Sequence, residues 1–339
     1  MPAEPGTARI AVDLLGGDHA PAVVVDGALR ACQADRALHL LLVGPLEVAG
    51  RVLAALDPVD RHRVRTAGVP AAGVAAPEVG AAARIGADAR VEAGVRTAGL
   101  AVVDGAADAV VSAGSTGATV TAAALSLGRW PGVRRPALAA VLPTVAGRVV
   151  LLDVGASVDP DAHTIAAHAA LGAAYAATLH GLDQVRVGLL SIGTEPGKGD
   201  RVRRDADPLL DGIRLPAGAR YVGLVEGHDV VLGERADVVV TDGFAGNVLL
   251  KGLEAAYALS GVGTRDAPPR AAVLLGVDGT VVVCHGAATG DDLASGIALA
   301  AHLHRRAAVA TLHALVPGLG APAESSVRDV SVSDLKDVP

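Results

Sequence analysis

Short apolar runs alternate with longer amphipathic segments along most of the chain. Each run is rich in valine, isoleucine or leucine, and a glycine-containing turn follows it before the apolar positions recur at helical spacing. This alternation of strand and helix is typical of a mostly parallel sheet covered by helices on both faces. The pattern therefore predicts a doubly wound α/β fold.

The predicted elements cover most of the sequence. We expect strands at residues 10–15, 38–43, 110–111, 149–154, 185–192, 221–225, 236–240 and 281–284. We expect helices at 22–33, 46–55 and 81–105, from the turn at 114–117 to 127, from about 161 to 180, from 248 onward, and at 292–315. Residues 1–317 are expected to form a single α/β catalytic domain with one or two lobes. Residues 318–339, which are rich in Ser, Asp and Pro, are expected to form a flexible C-terminal tail.

The stretch at 109–143 carries the clearest local motif. A buried strand runs into the turn Gly114-Ser115-Thr116-Gly117, and an alanine-rich helix follows. This geometry aims backbone N–H groups and the positive end of a helix at an anion, and the hydroxyls of Ser115 and Thr116 add donors. The motif predicts a phosphate or carboxylate site, although an ordinary strand-to-helix turn has the same local pattern.

Other polar clusters also follow predicted strands and precede helices. The first contains Asp13, Gly17, Asp18 and His19, and its glycines allow a ligand to approach the backbone closely. Because ligands of open α/β sheets bind outside the carboxyl ends of the strands, we expect these clusters to meet in one cleft at one edge of the sheet. An alternative role for Asp18 is to cap the helix that begins near Pro21.

Two lysines and three neighbouring polar residues are candidates for the chemistry. Lys198 lies in a glycine-bracketed loop after a strand, where its ammonium can neutralise a phosphate or an oxyanion, or can simply be solvated. Asn247 is expected at a helix N-terminus, either as a cap or as a ligand, with Lys251 one turn further on the same helix face. Asp242 is placed to orient such a lysine. His285 ends an apolar strand and has either a catalytic or a structural role.

Composition narrows the function classes. The net charge is −7 and aromatic residues make up 1% of the chain, which argues against a nucleic-acid-binding surface. The mean hydropathy is +0.44, yet no apolar stretch reaches membrane-spanning length without glycine, proline or charge. Cys32 and Cys284 are far apart within apolar runs, as expected of reduced core thiols rather than of a disulfide or a zinc site. We therefore expect a cytoplasmic protein without a metal.

Motifs for several common reaction types are absent from the sequence. No G-x-G-x-x-G follows a strand, so nicotinamide binding has little support, and we expect no cofactor. The G-x-S-x-G, H-E-x-x-H and P-loop motifs are also missing, and neither cysteine is placed as a nucleophile. Direct attack of a bound anion on an electrophile needs positioning and a stabilised oxyanion, but no nucleophile from the enzyme. The sequence therefore favours that chemistry.

Eight motifs, taken together and in order, carry a family resemblance. They are VDLLGGDHAP, VSAGSTGA, GRWPGVRRPALAAVLPT, LLDVGASVD, VGLLSIGTEPGKGD, VEGHDV, ADVVVTDGFAGNVLLK and LLGVDG…HG. In this order and spacing they resemble the bacterial phosphate acyltransferases of phospholipid synthesis, the PlsX family, from about residue 10 to residue 304. A run of eight ordered motifs is far more specific than any one of them.

The resemblance implies a fold, a reaction and a set of partners. It implies an isocitrate/isopropylmalate dehydrogenase-like fold, also found in phosphotransacetylases. It implies that inorganic phosphate attacks the thioester of a fatty acyl-acyl carrier protein, which gives acyl phosphate and free carrier protein. It further implies a homodimer that contacts the inner face of the cell membrane peripherally. The expected catalytic residues are Lys198, Asn247, Asp242 and His19. The expected phosphate- and substrate-binding residues are Gly17, Asp18, Ser115, Thr116, Gly117, Asp153, Lys251 and His285.

The sequence also departs from the family pattern. The helical hairpin that supports dimer packing and membrane contact in the family is reduced here to residues 254–272, and two family hydroxyls are replaced by Ala287 and Ala288. A short-chain acyl-coenzyme A phosphate acyltransferase, or a catalytically impaired paralogue that binds phosphate or carrier protein, are therefore alternatives. Because carrier protein is acidic, the basic turn with Arg129, Arg134 and Arg135 is a candidate contact, or else a solvated turn.

Overall fold

The computed structural model describes residues 6–69, 81–260 and 271–316. The strands are β1 (Ala8–Asp13), β2 (Leu38–Gly44), β3 (Val64–Gly68), β4 (Ala109–Ser112), β5 (Ala137–Thr144), β6 (Gly147–Leu152), β7 (Arg186–Leu190), β8 (Arg220–Val225), β9 (Val238–Val240), β10 (Ala271–Leu275) and β11 (Thr280–Cys284). The helices are α1 (Ala22–Ala34), α2 (Leu46–Ala55), α3 (Pro58–Arg61), α4 (Ala81–Val103), α5 (Thr116–Leu127), α6 (Ala162–His180), α7 (Arg201–Gly212), α8 (Gly227–Leu232), α9 (Gly243–Ser260), α10 (Gly290–Arg305) and α11 (Ala308–Leu315). The predicted tail at 318–339 and most of the shortened hairpin lie outside the described residues.

The strands of these three ranges form one sheet in the order β3-β2-β1-β4-β11-β10-β5-β6-β9-β7-β8. Seven of the neighbouring pairs are parallel. The antiparallel pairs are β10 with β11, β10 with β5, and β5 with β6. The sheet is therefore mostly parallel, as the sequence predicts.

The antiparallel pairs divide the sheet into two halves that run in opposite directions. Strands β1 to β4 and β11 share one direction, whereas β6 to β9 share the opposite one, because the direction reverses at β10, at β5 and again at β6. The expectation that all polar clusters meet at one edge of the sheet is therefore wrong, since the carboxyl ends of the two halves face opposite edges. The clusters instead approach one another over the middle of the sheet, on the face of β5 and β10.

Helices cover both faces of the sheet and bury alternate residues of each strand. Ile10 and Val12 of β1 pack in a cluster with residues of α1, α6, α10 and α11. Ala11, between them, packs in a second cluster with Val91 and Val95 of α4 and with residues of α5 and α9. Because successive side chains of a strand point to opposite faces, these two clusters are the two layers of a doubly wound fold.

Several predicted elements need correction. Strands β3, β5 and β10 and helix α7 were not expected, because their sequences are short or interrupted by proline and their order gives no strand–helix alternation. The helix expected at 292–315 is broken at Ala307, whose φ is +50°, so α10 and α11 are separate. Helix α9 begins at Gly243, five residues before the expected position, and Asn247 therefore lies inside the helix and not at its N-terminus.

None of the helices in the described ranges is long and apolar enough to cross a membrane.

Candidate functional site

A cavity of about 400 Å³ lies between the two halves of the sheet, a volume in the usual range for small-molecule sites. One wall comes from the turns after β1, β4 and β11, and the opposite wall comes from α9 and the turn after β6. The floor is one face of β5, where the buried side chains of Leu138, Ala140 and Leu142 point the same way because they are two residues apart. The cavity thus has polar walls and an apolar floor.

The predicted strand–turn–helix motif forms part of the first wall. Thr116 is the first residue of α5 and Ser115 precedes it, and both line the cavity, so the positive end of this helix opens onto the site. The Ser115 hydroxyl donates a hydrogen bond to Asp88 on α4 (2.6 Å), and Asp88 lines the cavity as well. Gly117 is not among the residues that line the cavity.

The turn after β1 brings Gly17 and Asp18 to the same wall. Gly17 has a φ of +112°, which favours glycine, and the Asp18 N–H donates to the carbonyl of Gly286 at the end of β11 (2.7 Å). Asp18 does not cap α1, because that helix starts after Pro21 without a side-chain cap. His19 is exposed and does not line the cavity, whereas His285 does, with its Nδ1 accepting from the Ala287 N–H (3.0 Å).

Helix α9 carries two predicted site residues on the opposite wall. Asn247 lines the cavity and its side-chain amide donates to the carbonyl of Val154 (3.0 Å). Lys251, one turn later on the same face, also lines the cavity and pairs with Glu254 (2.9 Å). Lys251 is the one lysine or arginine among the described residues that line this cavity, which also has carboxylates at Asp18, Asp88 and Glu254.

Asp153 shapes the turn between the two walls without facing the cavity. The side chain is completely buried and accepts hydrogen bonds from the N–H groups of Leu138, Gly155, Ala156 and Ser157. A Cβ at Gly155 would lie 3.4 Å from Asn247 Nδ2 and 3.8 Å from Thr116 Cγ2. Asp153 therefore fixes the turn that passes between the ends of α5 and α9.

Besides His19, two further predicted catalytic residues lie away from the cavity lining. Lys198 is exposed in the loop between β7 and α7. Asp242 pairs with Arg203 rather than with a lysine, and it accepts the Ala245 N–H in the first turn of α9. Burial alone raises the pKa of Asp242, but the hydrogen bonds from Ala245 and Arg203 outweigh it and hold this pKa below its ordinary value.

The structure therefore brings together seven of the predicted residues and leaves five outside the cavity lining. Those around the cavity are Gly17, Asp18, Ser115, Thr116, Asn247, Lys251 and His285. Those outside its lining are His19, Gly117, Asp153, Lys198 and Asp242. The sequence alone does not identify Asp88, Glu254 and Arg203. A charged residue on a helix is usually solvated, and the sequence does not show which residues it contacts in the fold.

One family profile and several named relatives match this sequence. A profile of the family described as "Fatty acid synthesis protein" matches residues 8–261. The phosphate acyltransferase of Thermobifida fusca is 40% identical over 322 residues, which is 87% of this chain and 87% of that protein. The phosphate acyltransferase of Heliobacterium modesticaldum is 36% identical over 341 residues, covering 91% of this chain and 98% of that protein.

Solved structures share the fold at much lower identity. The EutD phosphotransacetylase from Staphylococcus aureus is 18% identical with a TM-score of 0.56, covering 91% of this chain and 96% of that chain. The 4-hydroxythreonine-4-phosphate dehydrogenase from Klebsiella pneumoniae is 16% identical with a TM-score of 0.55, covering 90% and 100%. These likenesses concern the fold alone, and they confirm the predicted α/β class.

Proposed function

Because this chain belongs to the fatty acid synthesis protein family, as its sequence motifs predict, we propose that it transfers a fatty acyl group from acyl-acyl carrier protein to inorganic phosphate. The products are an acyl phosphate for phospholipid synthesis and free carrier protein. The family assignment gives the reaction, and the cavity supports specific roles for the residues.

One observation carries this proposal. The N-terminus of α5, with Ser115 and Thr116, lies on one wall of a cavity whose other wall carries Asn247 and Lys251. A helix N-terminus with hydroxyl donors suits a phosphate, and an ammonium opposite it supplies a counter-charge. The apolar floor, formed mainly by β5, suits an aliphatic chain. The cavity thus has separate regions for the two reactants.

The reaction needs no covalent enzyme intermediate. An oxygen of bound phosphate attacks the thioester carbonyl carbon, a C–O bond forms, and the carbonyl oxygen becomes a tetrahedral oxyanion. The intermediate then collapses, the C–S bond breaks, and the carrier-protein thiolate leaves and takes a proton from solvent. We assign the stabilisation of the oxyanion and of the phosphate to Asn247 and Lys251, which both lie on one face of α9 and line the cavity.

The proposal gives Lys251 the role that the sequence suggested for Lys198. Lys251 lines the cavity, whereas Lys198 is exposed on a loop outside its lining. Phosphate binding then exchanges the partner of Lys251, because Glu254 holds its ammonium at 2.9 Å in the structure. The two side chains are 36% and 17% exposed, so the pair is partly open to solvent and can be exchanged for a phosphate dianion.

A direct assay tests this function. Purified protein is incubated with palmitoyl-acyl carrier protein, with and without phosphate, and free carrier protein and acyl phosphate are followed together. Phosphate-dependent release of both products supports the proposal. Turnover of acetyl-coenzyme A but not of the long-chain thioester would move the assignment to a short-chain phosphate acyltransferase.

A second candidate function is binding without turnover. It is favoured by the negative charge of the cavity, where Asp88 already holds Ser115 and Glu254 already holds Lys251. The hydroxyl and the ammonium that would orient a phosphate are thus already engaged, and a reactant that is bound but not oriented is not turned over. If calorimetry detects phosphate or carrier-protein binding and the assay detects no products, this candidate replaces the first.

We assign the two protein partners, the carrier protein and a second copy of this chain, to two different surfaces. Arg129, Arg134 and Arg135 line a second concavity of about 510 Å³, and we assign it to the acidic carrier protein. We assign the homodimer contact to α9, where Phe244, Val248 and Leu259 are all largely exposed. These three lie on one face of the helix with Gly252 and Ala255 between them, so the stripe carries no charge.

The dimer proposal is tested by light scattering after chromatography. Val248→Glu is expected to convert a dimer to a monomer, because a charge in an apolar contact is costly to bury. Leu125→Glu introduces the same charge at an exposed apolar residue outside α9. It serves as the matched control and should leave the mass of the particle in solution unchanged. A monomeric wild-type protein, or a dimer that Val248→Glu leaves intact, contradicts the dimer assignment.

A further inference from the structure

Asp13 places an unpaired carboxylate side chain in the interior beside the cavity. It ends β1, its side chain is completely buried, and no lysine or arginine pairs with it among the described residues. Its Oδ1 accepts the N–H of Leu15 (3.0 Å), and its Oδ2 accepts the hydroxyl of Ser112 at the end of β4 (2.8 Å). Burying a carboxylate is costly unless it is hydrogen-bonded, and both of its bonds here come from residues at the ends of β1 and β4 beside the cavity.

Ser112 connects Asp13 to the Gly114–Thr116 turn by a second hydrogen bond. The Ser112 hydroxyl proton is donated to Asp13, which leaves the oxygen to accept the N–H of Gly114 (3.0 Å). Gly114 and Leu15 both line the cavity. One carboxylate therefore holds a turn of β1 directly and the turn of β4 through a single hydroxyl.

The surrounding backbone is fitted closely to this carboxylate. A Cβ at Gly94, in the middle of α4, would collide with Asp13 Oδ1. A Cβ at Gly16 would lie 2.8 Å from both Asp13 Oδ2 and Ser112 Oγ and would collide with the Gly114 nitrogen. Glycine in a helix interior is unfavourable, so Gly94 is best explained by the space that the carboxylate occupies.

We propose that Asp13, acting through Ser112, is a positioning residue that sets the place of the Gly114–Thr116 turn and so the affinity of the cavity for phosphate. The inference rests on the proposed phosphate acyltransferase function. Asp13 is not among the residues that line the cavity, so we give it no direct contact with the reactants. Its effect is exerted on the backbone N–H groups at the start of α5, whose direction decides how well they meet an anion.

The network requires a carboxylate and not an amide. Both Asp13 oxygens act as acceptors, one toward a backbone N–H and the other toward a hydroxyl. An asparagine offers one acceptor and one donor, so in one orientation its NH₂ opposes the Leu15 N–H. In the other orientation the NH₂ donates to Ser112, whose own proton then lacks its acceptor. The first orientation loses the bond from Leu15, and the second leaves the buried Ser112 hydroxyl proton without an acceptor beside Gly114.

The decisive experiment compares Ser112→Ala with Ser112→Thr, because these changes are small and lie next to the turn. We expect Ser112→Ala to raise the KM for phosphate about tenfold, as for the loss of one buried hydrogen bond, with the KM for acyl-acyl carrier protein unchanged. Ser112→Thr keeps the hydroxyl and should restore most of the affinity. Asp13→Asn should act in the same direction as Ser112→Ala.

Two matched controls separate positioning from general loss of stability. Asp229→Asn alters another buried aspartate, which caps α8 away from the cavity, and Ser126→Ala removes a hydroxyl that donates within α5 to Ala122. Asp229→Asn should lower the free energy of unfolding, and neither change should alter the KM for phosphate. Wild-type phosphate affinity in Ser112→Ala, or an equal change in the controls, overturns the inference, and Ser112→Ala decides if Asp13→Asn does not fold.

Calorimetric titration with inorganic phosphate keeps the two proposals distinguishable. If the wild-type protein releases no carrier protein, the proposed function fails, and the weaker phosphate binding expected of Ser112→Ala still tests the positioning role. If turnover is normal and phosphate binding is the same in wild type and Ser112→Ala, the positioning role fails alone.

Discussion

Arg203 Nη2 lies 2.6 Å from Asp242 Oδ2, and the two side chains are only 12% and 14% exposed. The Arg203 Nε donates to the carbonyl of Leu190 (2.7 Å), so one guanidinium ties the end of β7 to the turn that opens α9. Asp242 in turn accepts the Ala245 N–H. This pair therefore anchors the helix that carries one wall of the cavity.

Loss of Arg203 is expected to destabilise the protein strongly. Arg203→Met leaves Asp242 without its cation in a mostly buried place, and we expect the free energy of unfolding to fall by about 3 kcal/mol at neutral pH. Arg201→Met removes an exposed pair with Asp205 at 3.6 Å and should cost less than about 1 kcal/mol. Urea unfolding of both variants gives the comparison, and equal losses would contradict it.

The stability lost in Arg203→Met should depend on pH. The folded pKa of Asp242 is lowered, so its stabilisation is complete above the unfolded pKa of about 3.9 and is lost as the pH falls through the folded value. The difference in stability between wild type and Arg203→Met should therefore narrow at acid pH. A difference that stays constant from pH 7 to pH 3 would show that the ion pair is not its source.

Removing Lys251 and removing Lys198 should affect catalysis to very different extents. If Lys251 holds the phosphate, Lys251→Ala should lower kcat/KM for phosphate by about a hundredfold, the scale of losing one charged contact to a transition state. Lys198→Ala should then have a much smaller effect because Lys198 lies outside the cavity lining. Steady-state kinetics of both variants decide between them, and the reverse order of effects would return the role to Lys198.

Charge reversal at the basic concavity should affect one substrate only. Arg134 and Arg135 are exposed and line this surface, with Arg134 paired to Asp161 at 3.2 Å. Arg134→Glu with Arg135→Glu should raise the KM for acyl-acyl carrier protein about tenfold, most strongly at low salt, and leave the KM for phosphate unchanged. An unchanged KM for the carrier-protein substrate would remove the assignment of this surface.

Ala140 is expected to limit the length of the acyl chain. It is buried on the cavity floor between Leu138 and Leu142, so Ala140→Leu fills space that an aliphatic chain would occupy. Displacing two methylenes at about 0.8 kcal/mol each lowers kcat/KM for a palmitoyl substrate roughly tenfold. An octanoyl substrate assayed in parallel is the internal control. Equal losses for both chains would place the acyl group elsewhere.

The pKa of Asp13 should lie well above that of an ordinary aspartate. Burial raises its pKa to about 6, and the hydrogen bonds from Leu15 and Ser112 only partly offset this. With a folded pKa above the unfolded one, its contribution to stability is complete below the unfolded pKa of about 3.9 and is lost as the pH rises through about 6. Carboxyl NMR titration, with Asp13→Asn to assign the resonance, measures this pKa directly; a value near 4 would contradict it.

The sequence by itself determined the family, the α/β class and most of the local units. The strand–turn–helix unit around Ser115 and Thr116 is recognisable because a glycine turn between a β-branched run and an alanine-rich helix is encoded within a few neighbouring residues. Helices α1 and α2 were likewise predicted almost to the residue, since their apolar periodicity is local.

Only the tertiary structure decided which of these units face one another. The reversal of the sheet at β10, β5 and β6 has no local signal, because a strand's direction depends on its partners. The cavity lining includes the turn after β6 but neither Lys198 nor Asp242. The contacts of Asp13 with Ser112 join residues 99 positions apart. Such pairings are selected by the burial and hydrogen bonding of the folded chain, so the residues that orient the site emerge only once the fold brings them together.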